Sequence, residues 1–218
     1  MKQELSRIIA QHHEGGITSK DCMTCSSGCC SHGGFAILEN VEAIYEVYQA
    51  GDLKREGFEF KKRLSLKQFI FEYFDVWCRP VHGKNRINEL MFFHMKSIDD
   101  HGRLISMPGN LPSDMYWKIR RVFFENNPWL NNGCVFLSHP VPNWPEDDKN
   151  SKRHCILHEK KSTSGMQAKP IDCSFYTCVT PFSPKTPTDK TTADWLQALN
   201  EAYQNSKTRF LKIYNKKS

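Results

Sequence analysis

Four cysteines fall within nine consecutive positions, Cys22-Met23-Thr24-Cys25-Ser26-Ser27-Gly28-Cys29-Cys30, in a chain that carries nine in all. Core packing does not require thiols at that density, whereas binding of a soft metal does. The two-residue spacer between Cys22 and Cys25 lets the backbone turn so that both sulfurs reach one ion, and it leaves the intervening amides to donate to the thiolates. Zinc takes such ligands in a tetrahedron, and iron–sulfur clusters use them too. Zinc is therefore the expected metal, with iron or an iron–sulfur cluster as the alternative. Cys29 and Cys30 are adjacent, and in extended chain neighbouring side chains point to opposite sides. The pair is not expected to complete one simple site: either one of the two is spare, or they serve two metal centres or a bridged one.

Further cysteines arrive more than a hundred residues later, in Gly133-Cys134-Val135-Phe136-Leu137, Cys155-Ile156-Leu157-His158-Glu159 and Lys169-Pro170-Ile171-Asp172-Cys173. The order of these motifs after an N-terminal double-cysteine cluster resembles the YkgJ-like cysteine-cluster family, described as zinc- or iron-chelating proteins. That family's pattern runs Cys-x-x-Cys-x-x-Cys-Cys, Cys-Pro-Phe-Leu, Cys-x-Ile-Tyr and Arg-Pro-x-x-Cys-Arg. Here one extra residue separates Cys25 from Cys29, Val135 stands for the proline, and His158 stands near the tyrosine. Lys169 replaces the arginine, and Ser174 follows the last cysteine. The resemblance covers short motifs within residues 22–178. It implies Cys22, Cys25, Cys29, Cys30, Cys134, Cys155 and Cys173 as ligands, with Cys178 in the same loop as an eighth. Residues 22–30 and 134–178 would then form one composite metal-binding part.

Other reactive side chains point less clearly to chemistry. His32, His154 and His158 neighbour the cysteines and are secondary ligand candidates, but a lone histidine is more often a surface or hydrogen-bonded residue. His94 lies on an apolar stripe and reads as a core histidine, and Cys78 reads as a small buried hydrophobe. There is no nucleophile elbow, phosphate-binding P-loop or dinucleotide fingerprint. Whether the chain is an enzyme is left open: an oxidoreductase with an iron–sulfur or open metal site is one alternative to a metal-binding protein. A metal-stabilised module that displays a helical face to a protein or RNA partner is the other.

Composition narrows the setting. With 218 residues, 39% hydrophobic and 25% charged, the chain is expected to fold as a single domain, 1–218. The opening residues lack the apolar core of a secretory signal, and no run is long enough to span a bilayer, so the expected location is cytoplasmic with no membrane partner. In that compartment thiols stay reduced, which favours metal ligation over a disulfide framework. The net charge of +6 is spread over scattered basic pairs such as Lys61-Lys62, so a nucleic-acid partner is not expected, and no protein partner is indicated.

The elements that must position the cysteines read as mainly α, with amphipathic helices around a small irregular cysteine-rich core. Leu5, Ile8, Ile9 and His12 predict a short helix before Gly15-Gly16. Asn40 could cap a helix bearing Val41, Ile44, Tyr45 and Tyr48, ended by Gly51. Ser65 and Gln68 form a capping box for a helix carrying Leu66, Phe69, Ile70, Tyr73, Phe74 and Trp77 as far as Arg79-Pro80. Ile87, Leu90, Met91, Met95 and Ile98 predict another, and residues 113–126 a further one. Residues 128–190 are proline-punctuated loops that a metal could tie down. Thr191 and Asp194 open a long final helix with Trp195, Leu196, Leu199, Tyr203, Phe210 and Ile213 on its inner face. A short strand pair between 35–38 and 135–137 completes the expectation.

Overall fold

Three of the expected helices form among the described residues, the second of them shorter than expected. The structure, a computed structural model, describes residues 34–82, 87–99, 101–106, 133–138, 155–158, 160–170 and 190–215. Helix α1 spans Leu38–Gln49 and buries Leu38, Val41, Ala43, Ile44 and Val47 on one face. Gly51, at φ +77, closes it, with the Gly51 and Asp52 amides donating to the carbonyls of Tyr48 and Val47. Helix α2, Leu66–Tyr73, opens on the expected capping box: Ser65 accepts from the Gln68 amide while the Gln68 side chain accepts from the Ser65 amide. Helix α3 runs over Lys190–Asn215. The helices expected over 5–12 and 113–126 lie outside the described residues.

The mainly α expectation is overturned between residues 74 and 98. Strand β1, Phe35–Ala36, and the long strands β2, Phe74–His82, and β3, Ile87–Met95, form an antiparallel sheet in the order β1-β3-β2. Strands β4, Ser97–Ile98, and β5, Leu104–Ile105, make a second, two-stranded antiparallel sheet. The helix expected to reach Arg79 stops at Tyr73, and Phe74 is already extended at φ −131, ψ 148. Downstream of Tyr73 the chain reads Phe-Asp-Val-Trp-Cys-Arg-Pro-Val, rich in β-branched and aromatic residues. The two strands instead pair over nine positions, from Phe74 with Met95 to His82 with Ile87.

Register explains why β3 mimics a helix. Met91, Phe93 and Met95 alternate into the core, as a strand requires, but His94 between them is buried too. With both faces covered, the period-two signal disappears and the apolar positions can be read at three- and four-residue spacing. On one face Ala36, Phe74, Phe93 and Met95 are buried, and Phe93 meets Phe210 of α3 edge to face at 5.6 Å. On the other, His94 pairs in register with both Phe35 and Asp75. Its ring lies 5.1 Å from Phe35 and stacks on Trp77 at 5.9 Å. The expected pairing of 35–38 with 135–137 does not occur: β1 takes β3 as partner, and 135–137 sits in a turn.

Helices α1 and α3 are locked by charge as well as packing. Arg209 donates to the buried carboxylate of Glu39 and, from Nη2, to both oxygens of Glu42 at 2.6 and 2.5 Å. One guanidinium of α3 bridging two carboxylates of α1 fixes the relative rotation of the helices more tightly than apolar contact alone.

Candidate metal centre

Two of the eight candidate ligands lie in the described structure, and both are buried on tight turns. Cys134 opens a turn closed by the Leu137 amide donating to its carbonyl at 2.9 Å, and Cys155 opens another closed by His158 at 3.0 Å. The turns are joined: Leu137 bridges Cys155 in antiparallel fashion, and the Ile156 amide donates to Phe136 O at 2.9 Å. Each Cys-x-x-x segment thus serves as the template for the other. Val135, Phe136, Leu137 and Leu157 are buried around them and exclude water from the thiols.

The cysteine turns dock on the sheet region through backbone hydrogen bonds. Ser97 of β4 bridges Cys134, with Ile98 N–H donating to Gly133 O and Val135 N–H to Lys96 O. Residues 160–170 follow as a small hairpin, in which Lys161 pairs with Gln167 and Ala168 N–H returns to Lys160 O. Helix α1 fastens that hairpin. Asn40 was expected to cap the helix; instead it lies buried in the first turn, and its amide donates to the carbonyls of Gln167 at 3.0 Å and Lys169 at 3.3 Å. One turn further on and beyond, Glu46 accepts from the backbone and hydroxyl of Thr163.

The environment of Cys134 suits a metal-binding sulfur. The Phe136 amide donates to Sγ at 3.4 Å, the bond from residue i+2 that a turn after a ligating cysteine supplies. Met95 Sδ lies 3.8 Å away. Arg55, only 7% exposed, donates from Nη1 to the Cys134 carbonyl. Burial pushes the Arg55 guanidinium down to about 10, against the opposing pull of the nearby Cys134 sulfur. Sequence reasoning missed Arg55 altogether and assigned Asn40 only a capping role. Neither carries a local signal, because their roles depend on partners 79 and 127 positions away.

A carboxylate turn stands beside this region. Burial alone would raise the Asp99 carboxyl. The backbone amide and guanidinium of Arg103, with the His101 amide, nevertheless hold it below its ordinary value. This turn orients β4 and β5, and so the strand on which Cys134 docks.

No protein-family model, curated protein or solved structure matches the chain. The site therefore rests on its own residues. Among the described residues no cluster of three or more His, Cys, Asp and Glu side chains could hold a metal ion. Cys134 and Cys155 contribute two thiols, while Cys22, Cys25, Cys29, Cys30, Cys173 and Cys178 lie outside the described residues, as do His32 and His154. His158 is half-buried at the end of the Cys155 turn, His94 is in the sheet, and Cys78 pairs with Met91 in β2. Among the described residues no helix is long and apolar enough to cross a membrane.

Proposed function

We propose that this is a metal-binding protein in which the knuckle at 22–30 and the loops at 134–178 share one cysteine-cluster site, with zinc as the metal and iron or an iron–sulfur cluster as the alternative. The ligands are drawn from Cys22, Cys25, Cys29, Cys30, Cys134, Cys155 and Cys173, the set that the resemblance to the YkgJ-like family implies, and from Cys178 in the same loop. The supporting observation is the pairing of the Cys134 and Cys155 turns through Leu137, which joins two cysteines 21 positions apart in sequence. Thiolate is the ligating form of cysteine, and both the Phe136 amide and the buried Arg55 guanidinium favour negative charge beside Cys134. Zinc bound wholly by protein ligands contributes directly to folding. A cytoplasmic setting, where thiols remain reduced, suits this reading.

Elemental analysis of protein purified under nitrogen without added metal tests it. Zinc or iron at a fixed stoichiometry that falls in both Cys134→Ser and Cys155→Ser is the expected result. A folded protein without metal, or a metal content unchanged in both variants, would contradict it.

A further inference from the structure

The loop between α1 and α2, whose Arg55 also reaches the Cys134 carbonyl, walls an open cleft of about 910 Å3, in the size range of small-molecule sites. Its charged lining is lopsided: Lys54, Arg55, Lys61, Lys62 and Arg63 face a single carboxylate, Glu59. Glu59 lies 3.4 Å from Lys62, and Lys61 is paired at 2.7 Å with Glu72, which does not line the cleft. Lys54 and Arg63 have no ion-pair or hydrogen-bonding partner for their side chains among the described residues. Two cations on one cleft match one dianion.

The backbone is built to hold that arrangement. Arg63 has φ +60, and among the described residues it is the one non-glycine in the left-handed region. Residues other than glycine, asparagine and aspartate seldom adopt it, and such strain persists only where neighbouring structure enforces it. Tyr48 enforces it here: its hydroxyl donates to Lys61 O at 2.6 Å and accepts from the Leu64 amide at 2.8 Å, so both sides of Arg63 are pinned. Tyr73 accepts from the Lys61 amide at 2.8 Å and fixes the same loop from below. The apolar lining sets Tyr48, Phe58 and Phe60 beside Leu53 and Leu64. Phe58 and Phe60 meet edge to face at 5.1 Å, and Tyr48 stacks on Tyr45. Aromatic walls beside unpaired cations recognise a planar ring carrying a negative charge.

We infer that this cleft binds a small phosphate monoester on a planar ring, the phosphate meeting Lys54 and Arg63 and the ring lying on the Tyr48–Phe58 side. The inference does not rest on the metal site: the cleft shares Arg55 with the Cys134 turn, but neither Lys54 nor Arg63 bonds to the cysteine turns among the described residues.

Calorimetric titration with adenosine 5′-monophosphate, adenosine and inorganic phosphate tests it on the full chain. The monophosphate is expected to bind with a dissociation constant below about 1 mM, adenosine and phosphate each at least about tenfold more weakly. Lys54→Glu should weaken monophosphate binding at least about tenfold. Arg63→Gly is the control for folding: glycine takes φ +60 without strain, so the melting temperature stays or rises while affinity falls by a similar factor. The inference is overturned by no saturable monophosphate binding, by adenosine or phosphate binding as tightly, or by Lys54→Glu and Arg63→Gly both binding as the parent does.

Discussion

The β2–β3 ladder and the cysteine turns are both buried, yet they are held in different ways. The ladder pairs nine successive residues of neighbouring strands and carries aromatic contacts on both faces. Among the described residues the cysteine turns have no such ladder. Single bridges at Ser97–Cys134 and Leu137–Cys155 join segments far apart in sequence; Arg55 of the 51–64 loop holds the Cys134 carbonyl, and Asn40 and Glu46 of α1 hold the 160–170 hairpin that follows. Closing such long loops costs chain entropy that a few isolated bridges recover poorly. The comparison teaches that the first region can stand on apolar burial, while the second depends on polar tethers and, in our proposal, on metal.

The largest expected effect is on the first region. Phe93→Ala removes a fully buried ring from the face that meets Phe210 and should destabilise the whole chain by about 3–5 kcal/mol in denaturant unfolding. A loss confined to the cysteine turns would break the comparison. Next, Arg209→Met should cost about 3 kcal/mol, since it takes the cation from the buried Glu39 carboxylate; restoring stability with Glu39→Gln in the same chain would confirm that the charge pair is responsible.

Smaller effects should be local. Asn40→Ala leaves the carbonyls of Gln167 and Lys169 without that donor and should cost about 1–2 kcal/mol. Hydrogen exchange should then show faster opening at Ser162 and Ala168, with Phe93 unchanged; equal loss at both would mean that the two regions are one cooperative unit. The smallest effect concerns acid. The Asp99 carboxyl is held below its ordinary value, so its stabilisation is fully present above about pH 4, the unfolded value, and is lost as pH falls through the lower folded one. Unfolding midpoints of the parent and Asp99→Asn, measured from neutral pH downward, should differ at neutrality and converge in acid. A constant gap would refute the linkage.

Sequence made the helices legible and the sheet illegible, for physical reasons. The Ser65–Gln68 capping box is a local signal, and α2 begins where it says. The final helix carries a repeating apolar stripe, and Ala202, Ser206 and Phe210 are buried at four-residue intervals, though the helix already includes Lys190, ahead of the expected start. Strand β3 escaped because both of its faces are covered, and β2 because Phe74 and Trp77 continue the helical spacing of the segment before them. Of the site, Cys134 and Cys155 were legible as cysteines in recurring motifs, but their pairing through Leu137 was not: a bridge across 18 positions leaves no periodic trace. The cleft was invisible for the same reason, because Lys61-Lys62-Arg63 reads as ordinary surface charge until the fold brings Lys54 and Tyr48 to the same wall.

The composite cysteine site is the central claim, and X-ray absorption at the metal edge tests it most directly. In the parent chain the expected shell is made wholly of sulfur, at about 2.3 Å if the metal is zinc. In Cys134→Ser and Cys155→Ser an oxygen or nitrogen should enter the shell or the metal should be lost. A shell of oxygen and nitrogen in the parent, or an all-sulfur shell unchanged in both variants, would contradict it.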